Sequence, residues 1–297
     1  MKGLPEKIPV GIEHIFHPTD LSPPSMTAFA HALKLSLGLG ADLTIMHVDP
    51  QHADHDFEEF PHVRATLANW GILTQGATKQ DLLQLNFNVQ KILARTEDPV
   101  ASVVQLLWRK PADLMVLSTH EKDHFVQWLH HPTAETGTRK SRIMTLFVPS
   151  TSSGFISLDR GACRLRRVLI PIDHRPHPQP AVEAACTIAA AVGAHDVSFE
   201  LLHVGSEKNM PAVVTPWRNG WTWSRSFASG IVVDEVLAMV ARSAADLIVM
   251  GTEWRHGFLD ALLGSTTERV LRQTPCPLLA VPVGEPLKQS FRLSEIP

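Results

Sequence analysis

Apolar positions along the chain fall into short, nearly unbroken runs separated by segments with helical spacing. HIFHPT from His14, DLTIMHV ending at Val48, ADLMVLST from Ala112 and TLFVP from Thr145 have the length and composition of strands buried on both faces. Between the first two, AFAHALKLSLGLGA (Ala28–Ala41) sets small and apolar residues three and four apart and closes on glycine, as a helix with its C-cap does. The succession then returns: RVLIPID from Arg167, AVEAACTIAAAVGA over Ala181–Ala194, SFELLHV to Val204, ADLIVMGT from Ala245 and LLAVP from Leu278. HIFHPTDLSP and RVLIPIDHRP match position by position, each an apolar strand followed by proline, one residue and aspartate.

Strands and helices alternating at this spacing require crossovers, and right-handed crossovers place helices on both faces of a parallel sheet. The expectation is an α/β chain of two tandem, doubly wound, five-stranded parallel-sheet domains. Strands are expected at 14–19, 42–48, 88–95, 113–118 and 145–148, and again at 167–172, 198–204, 222–227, 246–250 and 278–281. The domains would span residues 1–150 and 165–284, with a linker at 151–164 and a tail at 285–297. The linker is polar, bears glycine and has no helical period.

Composition fits two cores, since 297 residues at 44% apolar content suit about two domains. A net charge of −3 gives no footprint for nucleic acid. Cys163, Cys186 and Cys276 have neither metal nor disulfide spacing, which reads as a reduced chain. No apolar run reaches membrane-spanning length and the start lacks the apolar core of a signal peptide, so a cytoplasmic location is expected.

The stretch DLIVMGTEWRHGFLDALLGSTTERVLRQTPCPLLAVP carries the candidate chemistry. An apolar strand ends at Gly251, Gly257 follows, and Gly264, Ser265 and Thr266 run into ERVLRQ, so backbone N–H groups and hydroxyls stand where a helix begins. This segment resembles the nucleotide-binding segment of the universal stress protein family: glycine, two residues, glycine, nine residues, glycine, then serine or threonine. Gly251, Gly264 and Ser265 match at the family spacing, and Trp254 replaces the second glycine. The resemblance implies an adenine-nucleotide fold, adenine and ribose contacts at Pro171 and Asp173, and phosphate contacts at Met250, Gly251, Gly264, Ser265 and Thr266. It also implies ATP, ADP or AMP as ligand, and pairing of the two halves through their last strands as an intramolecular pseudo-dimer, with homodimerisation a further option. Asp173 capping the following turn and Gly264-Ser265 capping the helix is the plainer alternative.

In the first half the equivalent loop has no glycine at these positions. Ser118, Glu121, His124 and His131 align with Gly251, Trp254, Gly257 and Gly264, and Pro132 aligns with Ser265. Asp20 is kept, but Glu121 and Asp123 bring negative charge where phosphate would lie, so the first half reads as a degenerate partner.

That loop also spells His120-Glu-Lys-Asp-His124, the letters of a zinc protease helix, at a strand-to-loop junction where that helix does not belong. Eleven of the sixteen histidines lie in the first half, including His52, His55, His130 and His131. They read as solvated loop residues, with zinc at His120 and His124 the alternative. Trp217, Trp221 and Trp223 read as core or interface packing. Neither half shows a Ser-His-Asp order, a Walker lysine or a paired general acid and base. The leading function is a stress-response binding or signalling module with a nucleotide in the second half only. The alternatives are a weak nucleotide hydrolase or phosphotransferase using that crevice, which would need metal-bridged phosphates and a placed base, or a zinc-binding regulatory protein.

Overall fold

Two carboxylates fix where each half of the sheet starts. In the computed structural model, which describes residues 11–50, 56–119, 143–253 and 265–283, Asp113 Oδ2 accepts the N–H of Glu13 at 2.8 Å and of His14 at 3.0 Å. Asp246 Oδ2 does the same for Arg166 and Arg167, both at 2.8 Å. These aspartates belong to the repeated Ala-Asp-Leu triplet, and each ties the first strand of its half beside the fourth.

The strands are β1 His14–Thr19, β2 Asp42–Asp49, β3 Val89–Arg95, β4 Leu114–Thr119, β5 Met144–Pro149, β6 Arg167–Pro171, β7 Val197–Val204, β8 Trp221–Ala228, β9 Leu247–Glu253 and β10 Leu278–Val283. Every expected strand is present, displaced by a few residues at most. They form one ten-stranded sheet in the order β3-β2-β1-β4-β5-β10-β9-β6-β7-β8. Each half is a parallel doubly wound sheet, and the halves meet edge to edge where β5 pairs antiparallel with β10, Leu146 opposite Leu279. Apolar terminal strands at adjoining edges thereby cover each other's open backbone groups.

Helices α1 Pro23–Leu39, α2 Val63–Asn69, α3 Lys79–Leu83 and α4 Pro99–Arg109 belong to the first half. Helices α5 Gln179–Ala191, α6 Val232–Ser243 and α7 Ser265–Leu271 belong to the second. Helix α1 starts at Ser22, whose hydroxyl accepts the Ser25 N–H at 3.4 Å, and stops at Gly40, whose φ of 66° sends its N–H back to Ser36 O. Helices α1 and α5 share one face of the sheet and touch each other. Gly38 sits directly on the Ala191 carbonyl, with no room for a Cβ. Phe29, Leu33, Val182, Ala185 and Ile188 are fully buried in one cluster that runs through both halves. On the other face α4 and α6 cover a second cluster, with Leu107, Met115, Val236 and Ile248.

The segment between the halves has no helix, yet it is packed. Phe155 and Ile156 are 1% and 0% exposed, and Ile156 bridges Cys163 in an antiparallel turn. Trp70 Nε1–H donates to Leu158 O at 2.9 Å, and Gly161, at φ 62°, lies flat against the Trp70 ring. A polar-looking stretch thus folds as a small clamp on α1 and α2.

Candidate functional site

Strands β6 and β9 are paired only at Val168–Leu247 and Leu169–Ile248. Beyond Leu169, β6 stays with β7 while β9 runs on beside β10 as far as Glu253. Neighbouring strands whose crossovers go opposite ways separate at their carboxyl ends, which is where open α/β sheets take ligands. The crevice so opened has a volume of about 260 Å³.

Of the residues expected at the site, Pro171, Asp173, Met250, Gly251 and Thr266 line this crevice. Ser265 is the first residue of α7, and Gly264 and Trp254 lie outside the described residues. Leu202, Val204, Val232 and Met250 give the crevice apolar lining, and Asp173, Arg175, Thr266 and Thr267 give it polar lining. Sequence reasoning did not single out Arg175, Thr267, Val204 or Val232. The only signal for Val204 was its repeat of Val48 after a histidine.

That histidine positions the site. His203 Nδ1–H donates to Ile172 O at 3.2 Å, holding the chain where β6 leaves the sheet, one residue before Asp173. In the first half His47 Nδ1–H makes the same bond to Thr19 O at 2.8 Å, one residue before Asp20. Asp173 is exposed, and its Oδ1 accepts the His174 N–H at 2.7 Å. His174 Nε2–H in turn donates to Asn209 O at 2.9 Å. Gly251 has its own neighbour: a Cβ there would stand 3.2 Å from Pro176 Cγ and 3.4 Å from Val283 Cγ2. The small size of residue 251 therefore seats Pro176.

The first half repeats the strand geometry with different side chains. Strands β1 and β4 are paired only at Ile15–Leu114 and Phe16–Met115. Asp20, however, is turned inward on its own loop: its Oδ1 accepts both the N–H and the hydroxyl of Ser22, at 2.9 and 2.6 Å. His17 replaces Ile170 and is fully buried, and burial pushes its imidazole from the ordinary 6.5 down to about 4, against the opposing bond of Nδ1–H to Val116 O.

His120 and His124 lie outside the described residues, and among the described residues no three His, Cys, Asp or Glu side chains are grouped to hold a metal. The loop histidines His52, His55, His130 and His131 also lie outside the described residues, whereas His14, His17, His31 and His47, on strands and a helix, are buried and hydrogen-bonded to backbone carbonyls. Sequence does not show this because the carbonyl partners of His14, His17 and His47 lie on other elements far along the chain. Trp221 and Trp223 pack on Phe199, the latter stacked at 4.5 Å, as expected; Trp217 does not, and is 80% exposed. Among the described residues no helix is long and apolar enough to cross a membrane.

A sequence profile of the Universal stress protein family matches residues 11–149 and 225–282. The match enters both halves and takes in about two thirds of the sequence; the chain belongs to the universal stress protein family. A universal stress protein of Methanocaldococcus jannaschii is 42% identical over 52 residues, which cover 18% of this chain and 31% of that protein. The chain thus spans about a third of that relative's length. Universal stress protein A homolog 1 of Coxiella burnetii is 28% identical over 141 residues, covering 39% of this chain and 95% of the homolog. Among solved structures, a universal stress protein from Archaeoglobus fulgidus has the same fold, with a TM-score of 0.53 at 16% identity over 91% of this chain and 98% of its own.

Proposed function

We propose that this chain is a stress-response binding and signalling protein whose second half takes an adenine nucleotide in the crevice between β6 and β9. The observation that carries the reading is the crevice itself, which opens at the switch point and gathers Pro171, Asp173, Met250, Gly251 and Thr266 from distant sequence. Its mixed apolar and polar lining suits the base and the sugar-phosphate of a nucleotide. The apolar lining of Val204, Val232 and Met250 takes a base, and the exposed Asp173 carboxylate accepts from ribose hydroxyls. Phosphate goes toward Thr266 and Thr267, in the first turn of α7.

In this reading the two halves act as one intramolecular pair, with the first half as the partner that binds no nucleotide. The antiparallel β5–β10 register, the seat of Gly38 on Ala191 and the cluster shared by α1 and α5 support it. So does the capture of Asp20 by Ser22, which uses up the first half's matching carboxylate oxygen.

Mass spectrometry of small molecules released from the purified protein, with calorimetry against ATP, ADP and AMP, tests the proposal. An adenine nucleotide is expected in the released fraction or in titration. A wild type that ignores all three at millimolar concentration contradicts it.

A further inference from the structure

We propose that Arg175 is the anion-reading residue of the crevice: it sets a preference for a phosphorylated nucleoside over the bare nucleoside. This deepens the nucleotide reading above and rests on it. Of three matched positions in the two halves, the first keeps its aspartate and the other two carry different side chains.

In the first half these positions are Asp20, Ser22 and Ser25, and they close on one another. Ser22 donates its N–H and hydroxyl to Asp20, and its oxygen caps α1 by accepting the Ser25 N–H. In the second half the same positions are Asp173, Arg175 and Pro178. Helix α5 has no side-chain cap, and Arg175 is an exposed side chain on the crevice wall. The exchange frees what the first half ties up. Asp173 keeps one bond, to the adjacent His174 N–H. Among the described residues the Arg175 guanidinium makes no hydrogen bond or ion pair.

Arg175 is nonetheless rooted. On one side His174 is tied to Asn209 O, and on the other Pro176 presses on Gly251. The guanidinium therefore leaves a fixed point of the crevice mouth with all five donors available. Among the described lining residues it is the one cationic side chain, against the carboxylates of Asp173 and Glu253. A bare nucleoside offers it no anion. A phosphate gives it a charge-assisted, two-pronged partner and relieves the crevice's surplus negative charge.

The test is calorimetry with adenosine and AMP, at low and high salt, on wild type, Arg175→Gln and Arg175→Lys. Because Arg175 is exposed and unbonded, both variants are expected to fold with wild-type melting temperatures. Wild type should prefer AMP over adenosine by about ten- to a hundredfold, the worth of a hydrogen bond to a charged group. Arg175→Gln should lose that preference while adenosine affinity moves by less than about threefold. Arg175→Lys should keep part of it, with a steeper dependence on salt. If wild type binds adenosine and AMP alike, or Arg175→Gln still prefers AMP, this proposal is overturned and the nucleotide reading stands. If neither ligand binds at millimolar concentration, this proposal falls, and the ATP and ADP titrations above decide the nucleotide reading.

Discussion

His31 Nε2, in the middle of α1, accepts the backbone N–H of Phe155 at 3.0 Å across 124 positions of sequence, and that of Ile156 at 3.2 Å. The other ring nitrogen donates to Thr27 O at 2.8 Å, so the tautomer is fixed. The Phe155 ring meets the imidazole edge-on at 4.5 Å, and Gly154, at φ 62°, lies against it with no space for a Cβ. One buried imidazole thus latches the segment between the halves to the first half. His31→Phe keeps the ring but leaves two buried N–H groups without an acceptor, and should cost about 2 to 4 kcal/mol. Urea denaturation of the two proteins measures it.

The same latch makes stability depend on pH. Burial pushes His31, like His17, from 6.5 to about 4, so both are neutral in the folded chain and bind protons more readily when it unfolds. Their stabilising effect is therefore complete above about pH 6.5 and is lost as pH falls from there toward 4. Integrated over that window, each accounts for up to about 3 kcal/mol. His17→Ile, which copies Ile170 at the matching position, should flatten the acid side of the profile and raise stability at pH 5 relative to wild type. Equal stability of the two proteins at pH 5 would contradict this account of His17.

Gly38 should tolerate no side chain. An added Cβ collides with the backbone carbonyl of Ala191, an atom that cannot swing aside, so α1 and α5 would have to separate. Gly38→Val should cost about 2 to 4 kcal/mol by the cost of overpacking and lost contact. Gly193→Ala, open on all sides but at φ 71°, should cost about 1 kcal/mol from backbone strain alone. Thermal melts of the two variants separate contact from conformation.

Thiol chemistry should be slow in the folded chain. Burial pushes Cys186 up to about 12 and Cys276 up to about 11, and raises Cys163 in the same direction. Timed alkylation with mass readout should label Cys163, the least buried, first, and reach Cys186 and Cys276 only on unfolding. Immediate native labelling of Cys276 would show that β10 opens more readily than its pairing implies.

Most strands were legible because they are continuous apolar runs that a doubly wound sheet buries on both faces, and the repeat supplied these twice; the edge strands β3 and β8 are half-exposed and mixed in composition. The crevice was legible as far as sequence marks it, through Asp173, Gly251 and Thr266. What was hidden depends on partners far along the chain. Phe155 and Ile156 are two apolar residues in a polar stretch, and only the distant His31 makes them core. Arg175 looks like any loop arginine until Ser22 shows what the position does in the other half. Gly251 reads as a phosphate contact by spacing, whereas a Cβ there would first meet Pro176.

The central claim is that the second crevice takes a nucleotide and the first does not, and the two matched aspartates test it most directly. Calorimetry with ATP, paired with melting temperature, would be run on wild type, Asp173→Ala and Asp20→Ala. Asp173→Ala should lower ATP affinity by about tenfold or more, the worth of a hydrogen bond to a carboxylate, with an unchanged melting temperature. Asp20→Ala should leave ATP affinity as it is and lower the melting temperature, because it breaks the bonds that hold Ser22 at the start of α1. An Asp173→Ala protein that binds ATP as wild type does, or an Asp20→Ala protein that loses ATP at an unchanged melting temperature, would contradict the account.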